Sequence, residues 1–97
     1  MIKRIVRMQF RKKAVPEFLE IFRESCEAIR SFDGCHALEL LQDTASQGTY
    51  FTLSIWRDQE ALDAYRRSEL FGATWKRTKR LFRKKARAWS TTSYISL

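Results

Sequence analysis

The sequence has few of the residues that build loops, disulfides or metal sites. It contains one proline and three glycines among 97 residues, so we expect few and short connections. Its two cysteines, Cys26 and Cys35, are too few for a disulfide framework. Together with the single histidine, they do not supply a recognisable set of zinc ligands. We therefore expect two reduced thiols and no metal centre.

Long apolar runs are also lacking. No stretch approaches the length of about 18 apolar residues that a membrane-spanning helix requires. Residues 1–13 contain six Lys or Arg among their apolar residues, unlike the apolar core of a secretory signal. These features predict a cytoplasmic protein with no membrane segment.

The formal net charge of +8 is unevenly distributed along the chain. Residues 1–13 and 70–97 are basic and contain no acid, whereas residues 14–69 carry all eleven acidic residues. The densest basic run is KRTKRLFRKKAR at 76–87, and we interpret it as the solvated face of a last helix and the turn beyond it. Contact with an anion or nucleic acid, and pairing with the acidic helix Glu17–Glu27 of a neighbour, are alternatives. No recognised nucleic-acid-binding motif surrounds the run, so we do not expect nucleic acid as a partner.

The hydrophobic pattern predicts one domain over residues 1–97 with the order β-α-β-β-α-β. Residues 2–10 alternate as a strand with Arg4, Val6, Met8 and Phe10 on one face. An amphipathic helix follows Pro16 as far as about Ser31, and Gly34 ends it. Further strands are predicted at 35–42, 50–57 and 88–96, the first two as an antiparallel hairpin, with helices beginning after Asp58 and Ser68.

This order indicates a ferredoxin-like α+β fold with a four-stranded antiparallel sheet. Its helices cover only one face of the sheet, and a chain this short buries only about 60–65% of its unfolded surface. A second copy packed sheet to sheet is the simplest cover, so we expect a homodimer. Arg7 and Glu39 lie mid-strand and are candidates for an ion pair across that interface.

Several segments resemble the antibiotic biosynthesis monooxygenase family of dimeric α+β barrels. They are FDGC at 32–35, FTLSIW at 51–56, RDQEALDAYRRSELF at 57–71 and AWS at 88–90. The resemblance covers nearly the whole chain, and its motifs are mainly structural. It implies relatives that oxidise anthrones and quinols with O₂ and no cofactor, haem-degrading relatives, and members with no known reaction.

The chain also departs from the patterns of these branches. Ser54 stands where the quinol-oxidising branch usually has Glu, and Tyr65 stands where a His is common. Trp75 aligns with the axial His of the haem-degrading branch, whose first-strand Asn has no counterpart because the chain contains no Asn. We therefore expect no haem and no other cofactor.

The resemblance implies a pocket between the sheet and the helices, lined by apolar and aromatic side chains that suit a flat aromatic substrate. The predicted substrate-binding residues are Val6, Met8, Phe22 and Phe71. The candidate catalytic residues are Tyr65, Trp75 and His36.

Each candidate has a structural alternative. The Tyr65 hydroxyl can hydrogen-bond a substrate oxygen, or its ring can pack on the sheet with the hydroxyl at the surface. Trp75 can be a pocket wall or ordinary core. His36, the only side chain with an ordinary pKa near neutrality, can be a base or a surface residue at a strand end. Cys35 fits a small buried hydrophobe better than a nucleophile, since no second histidine or acid is placed to activate it.

Two functions follow from these patterns. The first is a cofactor-independent monooxygenase that acts on a hydroxylated aromatic substrate. The alternative is a noncatalytic small-molecule-binding or stress-related module of the same fold. The absence of Glu at position 54 and of His at position 65 favours this alternative.

Overall fold

The computed structural model describes residues 1–97 as four strands and three helices. A 3₁₀ turn at Lys12–Ala14 precedes the first helix. In chain order the elements are β1 (Ile2–Phe10), α1 (Val15–Arg30), β2 (Cys35–Gln42), β3 (Thr49–Trp56), α2 (Gln59–Arg66), α3 (Glu69–Lys79) and β4 (Phe82–Thr91). The strands form one antiparallel sheet in the order β2-β3-β1-β4. The ferredoxin-like arrangement and the β2–β3 hairpin are therefore confirmed.

The last strand differs from its prediction. It runs from Phe82 to Thr91, whereas the sequence predicted residues 88–96. Its first half, FRKKAR, is dominated by Lys and Arg, which are not strand formers. Pairing with β1 overrides that preference: Phe10 lies opposite Phe82, and Arg7 lies opposite Arg87. Phe82, which lies in the run at 76–87 that the sequence assigned to a last helix and the turn beyond it, is therefore a strand residue.

The basic run at 76–87 consequently spans two elements. Its first part is the end of α3, and Arg83, Lys84, Lys85 and Arg87 are exposed residues of β4. Two arginines near the end of α3 contact the acidic face of α1 within the same chain. Arg77 donates to Glu24 at 3.1 Å, and Arg80 forms an ion pair with Glu17. The acidic face of α1 thus has basic partners without a neighbouring molecule.

Alternation gives the sheet two different faces. The inner face, against the helices, carries Arg4, Val6 and Met8 of β1 beside Ser54, Thr52 and Tyr50 of β3. The outer face has no helix against it. Ile5 lies between Leu53 and Trp89 on this face, and Trp89 is 38% exposed.

At the end of the inner layer near the turn between β2 and β3, buried side chains pack into a core, and three of them, Met8, Phe18 and Ile21, also form part of the wall of the cavity described below. We call this the closed end; its buried residues are Met8, Phe10, Ala14, Phe18, Ile21, Tyr50 and Leu81. The rings of Phe10 and Phe18 stack with their centroids 4.1 Å apart. Burial of these apolar side chains stabilises the fold, at roughly 25 cal/mol per Å² of apolar surface removed from water.

The opposite end of the layer is built around Trp56, which is 1% exposed and packs with Cys35, Ala61 and Leu62. The chain enters this end through a tight turn at Gly34, whose φ is 88°. A Cβ at Gly34 would lie 2.5 Å from the Cβ of Ala61. Only glycine therefore allows the α1–β2 turn to pack this closely against α2.

No helix in the structure is both long and apolar enough to cross a membrane.

Candidate functional site

A cavity of about 270 Å³ lies between the inner face of the sheet and the three helices. We call this part of the layer the hollow end. Most of the residues that line it are apolar or aromatic, and none is acidic or a histidine. The lining includes all six residues that the sequence predicted around a pocket, namely Val6, Met8, Phe22, Tyr65, Phe71 and Trp75. Such a cavity is near the lower end of the size range of small-molecule sites.

Aromatic rings form a continuous wall along the cavity. The Tyr65 ring stacks on Trp56 with centroids 4.8 Å apart and meets Phe71 edge-on at 5.3 Å. Phe71 in turn stacks on Trp75 at 5.7 Å. Ser68 caps α3 by accepting a hydrogen bond from the Phe71 backbone N–H, which fixes where this helix begins and how its aromatic face meets α2. Flat aromatic ligands are complementary to such a wall, because stacked and edge-on contacts are both favourable.

Tyr65 combines two features that the sequence left as alternatives. Its ring packs against Trp56, and the residue lines the cavity. Burial, with a smaller contribution from the nearby Cys35 thiol, raises the pKa of Tyr65 to about 12. The side chain therefore stays a neutral phenol at physiological pH and is suited to donate a hydrogen bond rather than to take up a proton.

Ser54 and Trp56 add a polar group to the inner face of β3. The Trp56 indole donates from Nε1 to the Ser54 Oγ at 2.9 Å, which holds the hydroxyl in place. Ser54 Oγ accepts this bond, so its own hydrogen is free to be donated to another acceptor. Both residues line the cavity. A carboxylate at position 54 would place a base there, and the serine in its place has no such capacity at neutral pH.

Three arginines that the sequence did not assign to the site also line the cavity, namely Arg4 on β1, Arg66 at the end of α2 and Arg87 on β4. Arg4 is partly buried and donates from Nη1 to the Ser90 Oγ at 2.9 Å. Burial lowers the pKa of Arg4, and the positive charge of Arg66 lowers it further. The alternation of β1 already placed Arg4 beside Val6 and Met8. The helical pattern gave no reason to expect Arg66 at the cavity, because Arg66 follows Tyr65 directly and successive helix residues point about 100° apart.

His36 lies away from this cavity. It is exposed on the edge strand β2, at a register shift between Cys35 and Ala37. An irregularity of this kind turns a side chain out of the regular alternation. The structure therefore matches the surface interpretation of His36, and its suggested role as a base has no geometric support in the cavity.

Cys35 is buried against Trp56, and burial is the main cause that raises the pKa of its thiol. A buried thiol with a raised pKa is a poor nucleophile. Cys26 is a second free thiol, partly buried on α1. The structure contains no group of three or more His, Cys, Asp or Glu residues arranged to hold a metal ion.

Comparison with known proteins places the fold among described families. The family model described as antibiotic biosynthesis monooxygenase matches residues 1–77. A comparison with curated proteins gives no match.

Solved structures resemble the chain closely in fold. A crystal structure titled antibiotic biosynthesis monooxygenase superimposes with a TM-score of 0.91 at 23% identity, covering 98% of this chain and all (100%) of the other. Rv0793 from Mycobacterium tuberculosis gives 0.89 at 18% identity, covering 98% of this chain and 96% of that one. A mutant of SnoaB, a cofactor-independent oxygenase from Streptomyces nogalater, gives 0.87 at 17% identity, covering 99% and 95%. At these sequence identities, the similarity to the three solved structures shows that they share the fold of this chain.

Proposed function

Because this chain belongs to the antibiotic biosynthesis monooxygenase family, we propose that it is a cofactor-independent monooxygenase acting on a hydroxylated aromatic substrate. The substrate is anthrone- or quinol-like and is oxidised by O₂ at the hollow end. The observation that carries the proposal is the cavity itself, about 270 Å³ in volume and walled by the rings of Trp56, Tyr65, Phe71 and Trp75. The oxygenase SnoaB has the same fold.

In the proposed reaction the substrate supplies all the electrons. An anthrone loses a proton from its CH₂ group to give an enolate, which transfers an electron to O₂. Recombination of the two radicals forms a carbon-bound hydroperoxide, and loss of water then leaves the ketone. One oxygen atom of O₂ enters the new carbonyl, and the other leaves as water together with the two CH₂ hydrogens.

The protein's part in this scheme is to hold the anion and to exclude water. Tyr65 and Ser54 donate hydrogen bonds to the substrate oxygens, and the aromatic wall clamps the rings. The cavity lining provides no carboxylate or imidazole. Proton loss therefore goes to solvent at the cavity mouth, and the rate of oxidation rises with pH as the bound substrate ionises.

Oxygen uptake by the purified protein tests this proposal. The substrates are a panel of anthrones and hydroquinones, with no cofactor added. Uptake is expected above the spontaneous rate, reduced roughly tenfold or more in Tyr65→Phe because one donor to the developing anion is lost. Tyr94→Phe is the matched control, because Tyr94 is 95% exposed. Uptake that neither Tyr65→Phe nor Trp75→Ala changes would place the reaction elsewhere.

The second candidate function is noncatalytic binding of a small aromatic molecule by the same cavity. The observation that favours it is the lack of any acid or histidine in the lining. Saturable quenching of tryptophan fluorescence by a hydroxylated aromatic compound, without oxygen uptake on any member of the panel, would favour this function over the oxygenase.

A homodimer formed through the outer face of the sheet is the second part of the proposal, in which we treat residues 1–97 as one domain. The outer face carries Leu41, 40% exposed, and Trp89, 38% exposed, and exposed apolar patches typically mark interaction sites. The buried Nε of Arg7 has no partner within the chain. Glu39 is the only acid in the four strands, so in a twofold pair Glu39 of one copy serves Arg7 of the other.

Light scattering during size exclusion measures this association. Leu53→Lys, in the middle of the outer face, is expected to give monomers because it buries an unpaired charge. Ala28→Lys adds the same charge to the exposed side of α1 and is expected to leave the dimer intact. A dimer that persists in Leu53→Lys would move the interface to another surface.

A further inference from the structure

Arg4 and Arg66, two of the three arginines that line the cavity, have no acidic partner. Every ion pair in the chain involves Arg23, Arg57, Arg77 or Arg80, and none involves Arg4 or Arg66. The cavity lining contains no acidic residue either. The hollow end is thus a mainly apolar space in which Arg4 and Arg66 contribute to the wall without an ion-pair partner.

Their positions favour an anion as the ligand of the cavity. Arg4 lies on the inner face of β1, partly withdrawn from water, between Ser54 and Ser90 of the neighbouring strands. Arg66 is an exposed residue at the end of α2 that lines the same cavity. Like charges close together at a partly dry site repel each other, and a negatively charged ligand removes that repulsion.

We propose that the substrate of this cavity is an aromatic compound that carries a carboxylate, and that Arg4 and Arg66 bind the carboxylate at the mouth of the cavity. This inference rests on the proposed function for the identity of the site and deepens it by naming a substrate class. A planar guanidinium matches the two oxygens of a carboxylate. The aromatic part of the ligand then lies against Tyr65, Phe71 and Trp75, with its hydroxyl within the cavity.

Arg87, the third arginine at the cavity, is not part of this pair. It lies opposite Arg7 in the sheet, and its guanidinium lies 5.4 Å from the centroid of the Trp89 ring on the outer face. Arg67, next to Arg66 in the chain, is exposed and does not line the cavity. Arg67 therefore provides a matched control for charge removal at the end of α2.

Calorimetric binding of two redox-inert probes tests the inference without any turnover. The probes are 6-hydroxy-2-naphthoate and its neutral analogue 6-hydroxy-2-naphthamide, which have the same rings and hydroxyl group. The naphthoate is expected to bind roughly ten- to a hundredfold more tightly, the range for hydrogen bonds to a charged group. Arg4→Gln and Arg66→Gln should each remove most of this preference, and Arg67→Gln should leave it unchanged. Arg4→Lys keeps the charge at the inner face and should retain part of the preference.

Equal affinity for the two probes would overturn the inference, as would a preference that survives in both glutamine variants or the absence of naphthoate binding at millimolar concentration. A lowered hydroxyl pKa of the bound naphthamide, lost in the arginine variants and without any carboxylate preference, would also overturn it, because the arginines would then hold the ionised hydroxyl. Arginine-dependent naphthoate binding without oxygen uptake on any substrate would support the carboxylate site and count against the oxygenase. Oxygen uptake without a carboxylate preference would support the oxygenase and count against the carboxylate site.

Discussion

The closed end and the hollow end of the layer between sheet and helices use the same kinds of residues to different effect. At the closed end the rings of Phe10 and Phe18 stack on each other at 4.1 Å within a buried core. At the hollow end Tyr65 stacks on Trp56 and Phe71 stacks on Trp75, and the rings line a space instead of filling it. Close packing stabilises the fold at the first end, and the second end gives up part of that stability because it keeps a cavity.

The largest expected difference between the two ends is in the cost of removing a ring. Phe10→Ala should lower the free energy of unfolding by about 3–5 kcal/mol, because it opens a cavity in a filled core. Trp75→Ala should cost clearly less, since the Trp75 side chain is only partly buried and faces an existing cavity. Urea unfolding of both variants measures the difference. Equal losses would mean that the cavity wall is as important to stability as the closed core.

Ionisation of Tyr65, at the hollow end, makes the free energy of unfolding depend on pH. The unfolded chain ionises this phenol near its ordinary pKa of about 10, whereas the folded protein holds it neutral up to a pKa of about 12. The contribution of Tyr65 to stability is therefore intact below pH 10 and is lost as the pH rises from 10 to 12, by about 2–3 kcal/mol.

Unfolding of the wild type and of Tyr65→Phe should be measured between pH 9 and pH 12. The difference between them cancels the other groups that titrate in this range. The variant should lose less stability than the wild type over the upper part of it. Parallel curves would indicate that the Tyr65 hydroxyl is in contact with bulk water.

Gly34 tests how rigid the frame of the hollow end is. Gly34→Ala should lower the free energy of unfolding by about 1–3 kcal/mol, because its φ of 88° disfavours a side chain and the new Cβ would meet Ala61. Gly72→Ala is the control: no atom lies within 4 Å of the added Cβ, and a gain of about 0.5–1 kcal/mol is expected within helix α3. Thermal unfolding distinguishes them, and a neutral Gly34→Ala would mean that the turn can shift away from α2.

Filling substitutions should change stability in opposite directions at the two ends. Thr74→Leu adds apolar volume at the cavity and should raise the free energy of unfolding by about 0.5–1 kcal/mol while weakening ligand binding. Ala14→Leu adds volume to the closed end and should lower it by about 1–3 kcal/mol. Chemical denaturation of the pair is the check, and destabilisation by both would show that the cavity closes up in solution.

Much of the fold was accessible from the sequence because the patterns were strictly periodic. The alternation of β1 assigned Val6 and Met8 to the inner face, and the helical spacing of α3 brought Phe71 and Trp75 to the same cavity. The position of β4 was not accessible. Its lysines and arginines are typical of a solvent-exposed segment rather than of a strand, and only pairing with β1 makes Phe82–Thr91 a strand.

The site was partly accessible for related reasons. His36 was considered because of its pKa, but the register shift beside Cys35 places it at the surface. Arg66 was missed because its position depends on how α2 packs against the sheet, which no local pattern encodes. Residues that follow the regular alternation of a strand or the apolar stripe of a helix were thus predictable. Residues positioned by an irregular strand or by helix packing were not.

The most direct test of the central claim, that the hollow end is where the substrate reacts with O₂, is oxidation of an anthrone under ¹⁸O₂. The account predicts a rate above the spontaneous one in the wild type, with one labelled oxygen atom in the new carbonyl, and a return to the spontaneous rate in the cavity-filled Thr74→Leu. A rate that Thr74→Leu does not change, or a product whose new carbonyl contains no ¹⁸O, would contradict it.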